Sequence, residues 1–146
     1  MKLAIGADHA GYMLKEQIKE YLKSRDIDFK DVGTFKIESC DYPEFAYKVG
    51  QAVANGEADL GILICGTGIG MSITANKIKG IRAALVHDEQ TAKLSRQHNN
   101  ANVLCMGGRI LTEEQARQIV DVWLNTSFEG GRHERRLKLI SQLTGL

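Results

Sequence analysis

Leu60-Gly61-Ile62-Leu63-Ile64 runs directly into Cys65-Gly66-Thr67-Gly68-Ile69-Gly70, and Met71 to Ile78 follows with helix-compatible residues. The stretch reads as a buried strand, a tight glycine turn and a helix start. Glycines at alternate positions permit positive φ and close backbone approach to a ligand, and the unpaired N–H groups of a new helix face whatever binds there. Such a turn suits an anionic or oxyanionic small molecule. Its first position is a thiol, and a helix N-terminus favours thiolate over thiol, which makes Cys65 a candidate base or nucleophile. The competing reading is an inert buried thiol, the common fate of a free cysteine.

The same strand-to-helix step recurs on either side. Lys2 to Ala7 reads as a short buried strand, and Leu14, Ile18, Tyr21 and Leu22 then form the stripe of an amphipathic helix. Phe29 to Val32 is a weaker strand ending at Gly33, followed by a loop with Pro43 and a helical stretch through Phe45, Val49 and Val53. After the glycine turn come a strand over Arg82 to Val86, a short helix over Glu89 to Gln97 and a strand over Ala101 to Met106. Thr112 with Gln115 forms a capping box for a helix through Ile119 and Trp123, and a last helix covers about Arg132 to Leu143. Strands alternating with helices imply parallel crossovers and a sheet covered on both faces, a three-layer α/β fold. In such sheets ligands bind beyond the carboxyl ends of the strands, where strand order reverses.

With 146 residues, 43% of them hydrophobic, the chain is expected to form one domain over its whole length, residues 1–146. A net charge of +1 argues against nucleic acid or an anionic membrane as the organising partner, so any anion site is local. Cys40, Cys65 and Cys105 are widely spaced and form no C-x-x-C pair, which argues against structural zinc and a disulfide framework. A reducing cytoplasm fits. The N-terminal apolar stretch is too short for a signal segment, and no run approaches the length of a membrane helix.

Polar residues at strand ends are the further candidates. Asp8-His9 follows the first strand, where a carboxylate and an imidazole face the crevice; the alternative is a helix cap with an exposed histidine. His98-Asn99 precedes the fifth strand and also reads as part of an asparagine-rich turn. Arg109 follows Gly107-Gly108, while Arg132 and Arg136 stand at i and i+4 on the last helix, a spacing suited to a phosphate dianion or to a solvated charged face. Thr67 either offers its hydroxyl to the ligand or caps the next helix. His87-Asp88 reads as a helix start, and Cys40 and Cys105 as unreactive thiols. A dinucleotide fingerprint fails, because Met71 stands where its third glycine belongs and the turn follows the third strand.

Taken together, Gly6 to Gly11, Asp41-Tyr42-Pro43, Cys65 to Gly70, Ala75-Asn76-Lys77, His98-Asn99, Gly107-Gly108-Arg109 and Arg132 to Arg136 resemble the type B ribose-5-phosphate isomerases. The resemblance runs in order along essentially the whole chain. It implies a Rossmann-like three-layer α/β/α sandwich around a five-stranded parallel sheet, with an extra C-terminal helix. It further implies metal-free, cofactor-free interconversion of ribose 5-phosphate and ribulose 5-phosphate, a step of the pentose phosphate pathway, through ring opening and an enediolate. Cys65 would be the base that some relatives replace with a glutamate further along the loop; Ser72 and its neighbours offer no carboxylate here. His98 would open the sugar ring, and Gly66, Thr67, Gly68, Ile69 and Gly70 would hold the enediolate oxygen. Asp8, His9, Tyr42 and Asn99 would bind the sugar. Thr67 would line it beside the base, in a catalytic or binding role. Arg109, Arg132 and Arg136 would bind ligand, the last two its phosphate, with His133 assisting. The resemblance also implies a homodimer with active sites at its interface, paired into tetramers in some relatives. The wider family includes allose 6-phosphate and galactose 6-phosphate isomerases. A phosphate- or nucleotide-binding module is the reading from a different class, and it leaves Cys65, His98 and the arginines without a joint purpose.

Overall fold

A computed structural model describes residues 1–146. Five strands, β1 (Lys2–Ala7), β2 (Asp28–Asp31), β3 (Leu60–Cys65), β4 (Ala83–Leu85) and β5 (Val103–Gly107), form one sheet in the order β2-β1-β3-β5-β4. Every pairing is parallel. The central strands β1, β3 and β5 are almost entirely buried, as a sheet covered on both faces requires.

Six helices complete the fold: α1 (Tyr12–Ser24), α2 (Tyr42–Ala54), α3 (Ile69–Ala75), α4 (Glu89–Gln97), α5 (Glu113–Leu124) and α6 (Arg132–Thr144). Helices α1, α4 and α5 pack with one face of the sheet through Leu14, Ile18, Ala92, Ile119 and Trp123. On the opposite face, α2 and α3 supply Phe45, Val49, Met71 and Ala75 to a second core. The three-layer sandwich is thus as the strand–helix alternation implies. Helix α3 begins at Ile69, two residues before the helical run read from sequence, because Gly68 with φ of 81° turns the chain immediately after β3.

Helix α6 differs from the others. Of its thirteen residues only His133 is buried, while Leu139, Ile140 and Leu143 are 49%, 51% and 78% exposed. An amphipathic helix with its apolar side uncovered lacks its packing partner within the chain. It flanks a groove of about 630 Å³ along edge strand β4, lined by Leu85, Leu94, Leu137, Ile140 and Leu146 among others. The outer edge of β4 is closed by a side chain: Asn76 Oδ1 accepts from the Ala83 N–H at 2.8 Å and its Nδ2 donates to the Ala83 carbonyl at 3.0 Å. An amide in that position occupies the groups that would otherwise recruit another strand.

At the other side of the sheet a charged cluster is built into the core. Lys15 is fully buried and donates to Asp31, with Glu16 Oε2 2.9 Å away and the Tyr12 and Phe35 rings 5.5 and 5.4 Å from Nζ. Lys19 Nζ lies 2.8 Å from the same Asp31 carboxylate, and the Gly33 N–H donates to it at 2.8 Å. Burial would raise the Asp31 carboxyl, but the hydrogen bonds from Lys15, Lys19 and Gly33 together outweigh it and hold the group below its ordinary value. A carboxyl depressed in the folded state stabilises the fold above its unfolded value, and that contribution is lost as pH falls through the folded one. Urea unfolding is therefore expected to show stability falling away below about pH 4, with a shallower fall in Asp31→Asn; identical acid profiles would contradict the role given to this carboxylate.

Candidate active site

The carboxyl edge of the sheet gathers the first group of candidates. Cys65 ends β3, 5% exposed, and the Gly68 N–H points at its Sγ from 3.2 Å. The Cys65 carbonyl accepts from the Gly108 N–H at 2.7 Å and the Gly66 carbonyl from the Arg109 N–H at 3.0 Å, which ties the glycine turn to the end of β5. Arg109 lies alongside: a Cβ added to Gly66 would stand 3.2 Å from its guanidinium. Tyr42, the first residue of α2, covers the turn from the other side, and a Cβ at Gly70 would clash with its ring.

Asp8 follows β1 on the neighbouring strand and is 6% exposed; its Oδ1 accepts from the Ala10 and Gly11 N–H groups at 3.0 and 3.1 Å. It therefore closes a turn before α1, whose N-cap is Gly11. His9 is half-buried, and its Nδ1 accepts the Cys40 N–H at 3.2 Å. Neutral His9 consequently carries its proton on Nε2, leaving a donor on that side of the ring. Cys40 contributes by its backbone. Thr67 Oγ1 accepts from the Ile69 N–H at 3.2 Å, the capping geometry, while its side chain remains exposed beside the turn.

The second group occupies the opposite edge. Helix α4 returns from the carboxyl edge, where Asp88 caps it by accepting from the Thr91 N–H at 2.7 Å, and ends at His98. Asn99 follows, exposed, before β5 begins. The Arg82 Nε donates to the Asn99 and Asn100 carbonyls at 3.2 and 3.0 Å, and Arg96 donates to the Ala101 carbonyl, so two guanidinium groups hold this turn. The His98 ring stacks on His133 of α6 with centroids 4.2 Å apart and planes 13° from parallel. Arg132 and Arg136, both exposed, belong to the same helix. Burial, then the neighbouring His98 and Arg132, push His133 below the ordinary imidazole value.

Within one chain the two groups do not meet. Strand β5 pairs with β3 from Gly61↔Val103 to Cys65↔Gly107, so His98 and Asn99 lie beyond one end of a span of about 13 Å at the usual strand rise and Cys65 lies at the other. The division follows from strand direction: His98-Asn99 precedes a strand and Cys65 ends one, as read from sequence, and in a parallel sheet these fall on opposite edges. The His98–His133 stack was invisible in sequence, its members being 35 positions apart. Cys105 is fully buried and burial pushes its thiol far up, which leaves it inert as expected.

A model of the family described as Ribose/Galactose Isomerase matches residues 3–140. Over 142 residues the chain is 49% identical to ribose-5-phosphate isomerase B of Escherichia coli, covering 97% of this chain and 95% of that protein. The structure of Clostridium thermocellum ribose-5-phosphate isomerase B superposes with a TM-score of 0.98 at 49% identity, covering 99% of this chain and 98% of that one. Ribose-5-phosphate isomerase B from Mycoplasma genitalium, solved with bound ribulose 5-phosphate, gives 0.94 at 46% identity, covering 99% and 96%.

Gly68 is the position where the turn is least forgiving. Its φ is positive, and an added Cβ would lie 2.7 Å from Leu85 Cδ1 and 2.9 Å from the Met106 carbonyl carbon. Gly68→Ala is expected to cost on the order of 1–3 kcal/mol and to swing the N–H away from Cys65 Sγ. Denaturant unfolding with wild-type stability would contradict this geometry.

Proposed function

The chain belongs to the ribose/galactose isomerase family, and we propose that it interconverts ribose 5-phosphate and ribulose 5-phosphate at a site completed by a second copy of itself. The observation that carries the chemistry is the Gly68 N–H directed at the Cys65 sulfur at the carboxyl end of the central strand β3. Support for the pentose comes from relatives named for that reaction and from the 46% identical one solved with ribulose 5-phosphate.

A proton on carbon beside a carbonyl is weakly acidic, so the site must supply a base and stabilise the enediolate. In our reading the Cys65 thiolate removes the proton from C2 and returns it to C1. A hydroxyl proton moves from O2 to O1 in the same sense, so no redox equivalent leaves. Backbone N–H groups of Gly66 to Gly70 receive the developing oxyanion, with Thr67 beside them. Asp8, His9 and Tyr42 surround the sugar, and Arg109 flanks the turn. The furanose offers no free carbonyl until its ring opens, and that proton transfer is assigned to His98 of the partner subunit. Asn99 of the partner subunit adds a sugar contact, while the guanidinium groups of Arg132 and Arg136 of the partner subunit take the phosphate, assisted by His133 of the partner subunit. Binding energy from the phosphate then holds C1 and C2 over the thiolate.

Two observations support the shared site. The two candidate groups stand at opposite edges of one sheet, and α6, which carries the arginines, has an uncovered apolar side. A twofold pairing brings each group to the other's counterpart. The three unpaired cysteines support a reducing compartment, and we assign the enzyme to the cytoplasm.

Ribose 5-phosphate, allose 6-phosphate and galactose 6-phosphate, assayed in parallel in EDTA, are expected to show highest kcat/KM with the pentose. Preference for a hexose phosphate would overturn the substrate assignment. Cys65→Ala is expected to retain fold and substrate binding, to lose at least about a hundredfold in kcat and to stop exchange of the C2 proton with heavy water; persistent exchange would remove Cys65 from the role of base.

A further inference from the structure

The end of α4, the loop before α6 and the start of α6 bring together three metal-ligating side chains, two of which, His98 and His133, also belong to the proposed isomerase site. His98, Glu129 and His133 each offer one donor atom, and these atoms lie within 4.8 Å of one another. The His133 Nε2 is buried without a hydrogen-bond partner in a side chain only 7% exposed, and Glu129 Oε2 stands 3.7 Å from it. A buried imidazole nitrogen with no partner within the chain is open to a ligand, either the phosphate proposed above or a metal. The backbones that carry the three groups are tied to each other: the Glu129 N–H donates to the Gln97 carbonyl at 3.1 Å and the His133 N–H to the Gly130 carbonyl at 3.2 Å.

We propose that His98, Glu129 and His133 form a site for a borderline transition-metal dication, of which Zn²⁺ is the type, and that its occupation switches the isomerase off. The inhibitory part rests on the role given to His98 above. Two imidazoles and a carboxylate are a zinc donor set, with a fourth position left for water. Donors sharing one tetrahedral zinc stand roughly 3.3 Å apart at the usual bond lengths, so the Glu129–His133 pair needs only a small closure. The half-exposed Glu129 supplies it, and His98 tilts out of its stack from its place at the end of α4. Coordination then consumes the lone pair of the imidazole that opens the sugar ring. The nearby cations Arg132 and Arg136 oppose a dication, which makes the site a sensor of excess metal and not a permanent holder. Mg²⁺ and Ca²⁺, which require oxygen ligands, are excluded.

Calorimetric titration of the full-length protein with Zn²⁺, and Co²⁺ absorption as a second readout, test this directly. The expected result is one ion per chain in both the wild type and Cys65→Ala, no binding of Mg²⁺, and affinity lowered at least about tenfold in Glu129→Gln and in His133→Gln. Glu129→Gln, active in EDTA, should need about ten times more Zn²⁺ for half-inhibition. Zinc affinity unchanged in both variants, or abolished by Cys65→Ala, would overturn the site by showing that the ion sits elsewhere or on the thiolate. Binding that follows the expected pattern without zinc inhibition would overturn the switch. Should the protein fail to isomerise any sugar phosphate, the titration still decides the site, so the two readings fail separately.

Discussion

The direction of the strands is the constraint on which the rest depends. All five run parallel, so every strand end falls on one edge of the sheet and every strand start on the other. Cys65 closes a strand and His98 precedes one. A single chain of this topology therefore cannot bring Cys65 and His98, the proposed base and ring-opening group, together by adjusting loops, because a whole strand separates them. The proposed shared site joins them through a second copy of the chain, for which the exposed apolar side of α6 offers a surface.

The same geometry explains how rigidly each half is held. The glycine turn is fastened to the end of β5 by two backbone hydrogen bonds and hemmed in by Leu85, Met106 and Tyr42. His9 is oriented by the Cys40 N–H, on the loop that leaves β2 beside the buried Lys15–Asp31 cluster. On the far edge Arg82 and Arg96 hold the Asn99–Ala101 turn through carbonyl oxygens. Apart from Tyr42, each half is pre-organised by groups given no part in the chemistry, which is what transition-state stabilisation by fixed donors requires.

Much of this was legible in the sequence for physical reasons. Five apolar runs, each followed by a helical stripe, admit few arrangements other than a parallel sandwich, and Thr112 with Gln115 makes the capping box that its spacing implies. The glycine turn around Cys65 was legible because an apolar strand running into alternate glycines marks a strand-to-helix turn, and the structure places it there. Placing His98 before a strand and Cys65 after one already implied opposite edges of a parallel sheet, whereas the residues that hold each half in place were not legible, since periodicity reveals elements and not their side-chain contacts. Lys15 was equally hidden: by position it belongs to the helix stripe's neighbourhood, and only its contacts with Asp31, Tyr12 and Phe35 explain a lysine with no exposure. The Asp8 carboxylate serves both as turn closer and as candidate sugar contact, a dual use that residue type alone does not disclose.

The most direct measurement is activity in a mixed dimer. Cys65→Ala and His98→Asn chains, each inactive as a homodimer, are co-expressed with different tags and purified through both. A site shared between subunits leaves one interface site with both groups intact and predicts about half the wild-type activity per dimer. Activity no greater than that of either variant alone would contradict the division of the site between two chains.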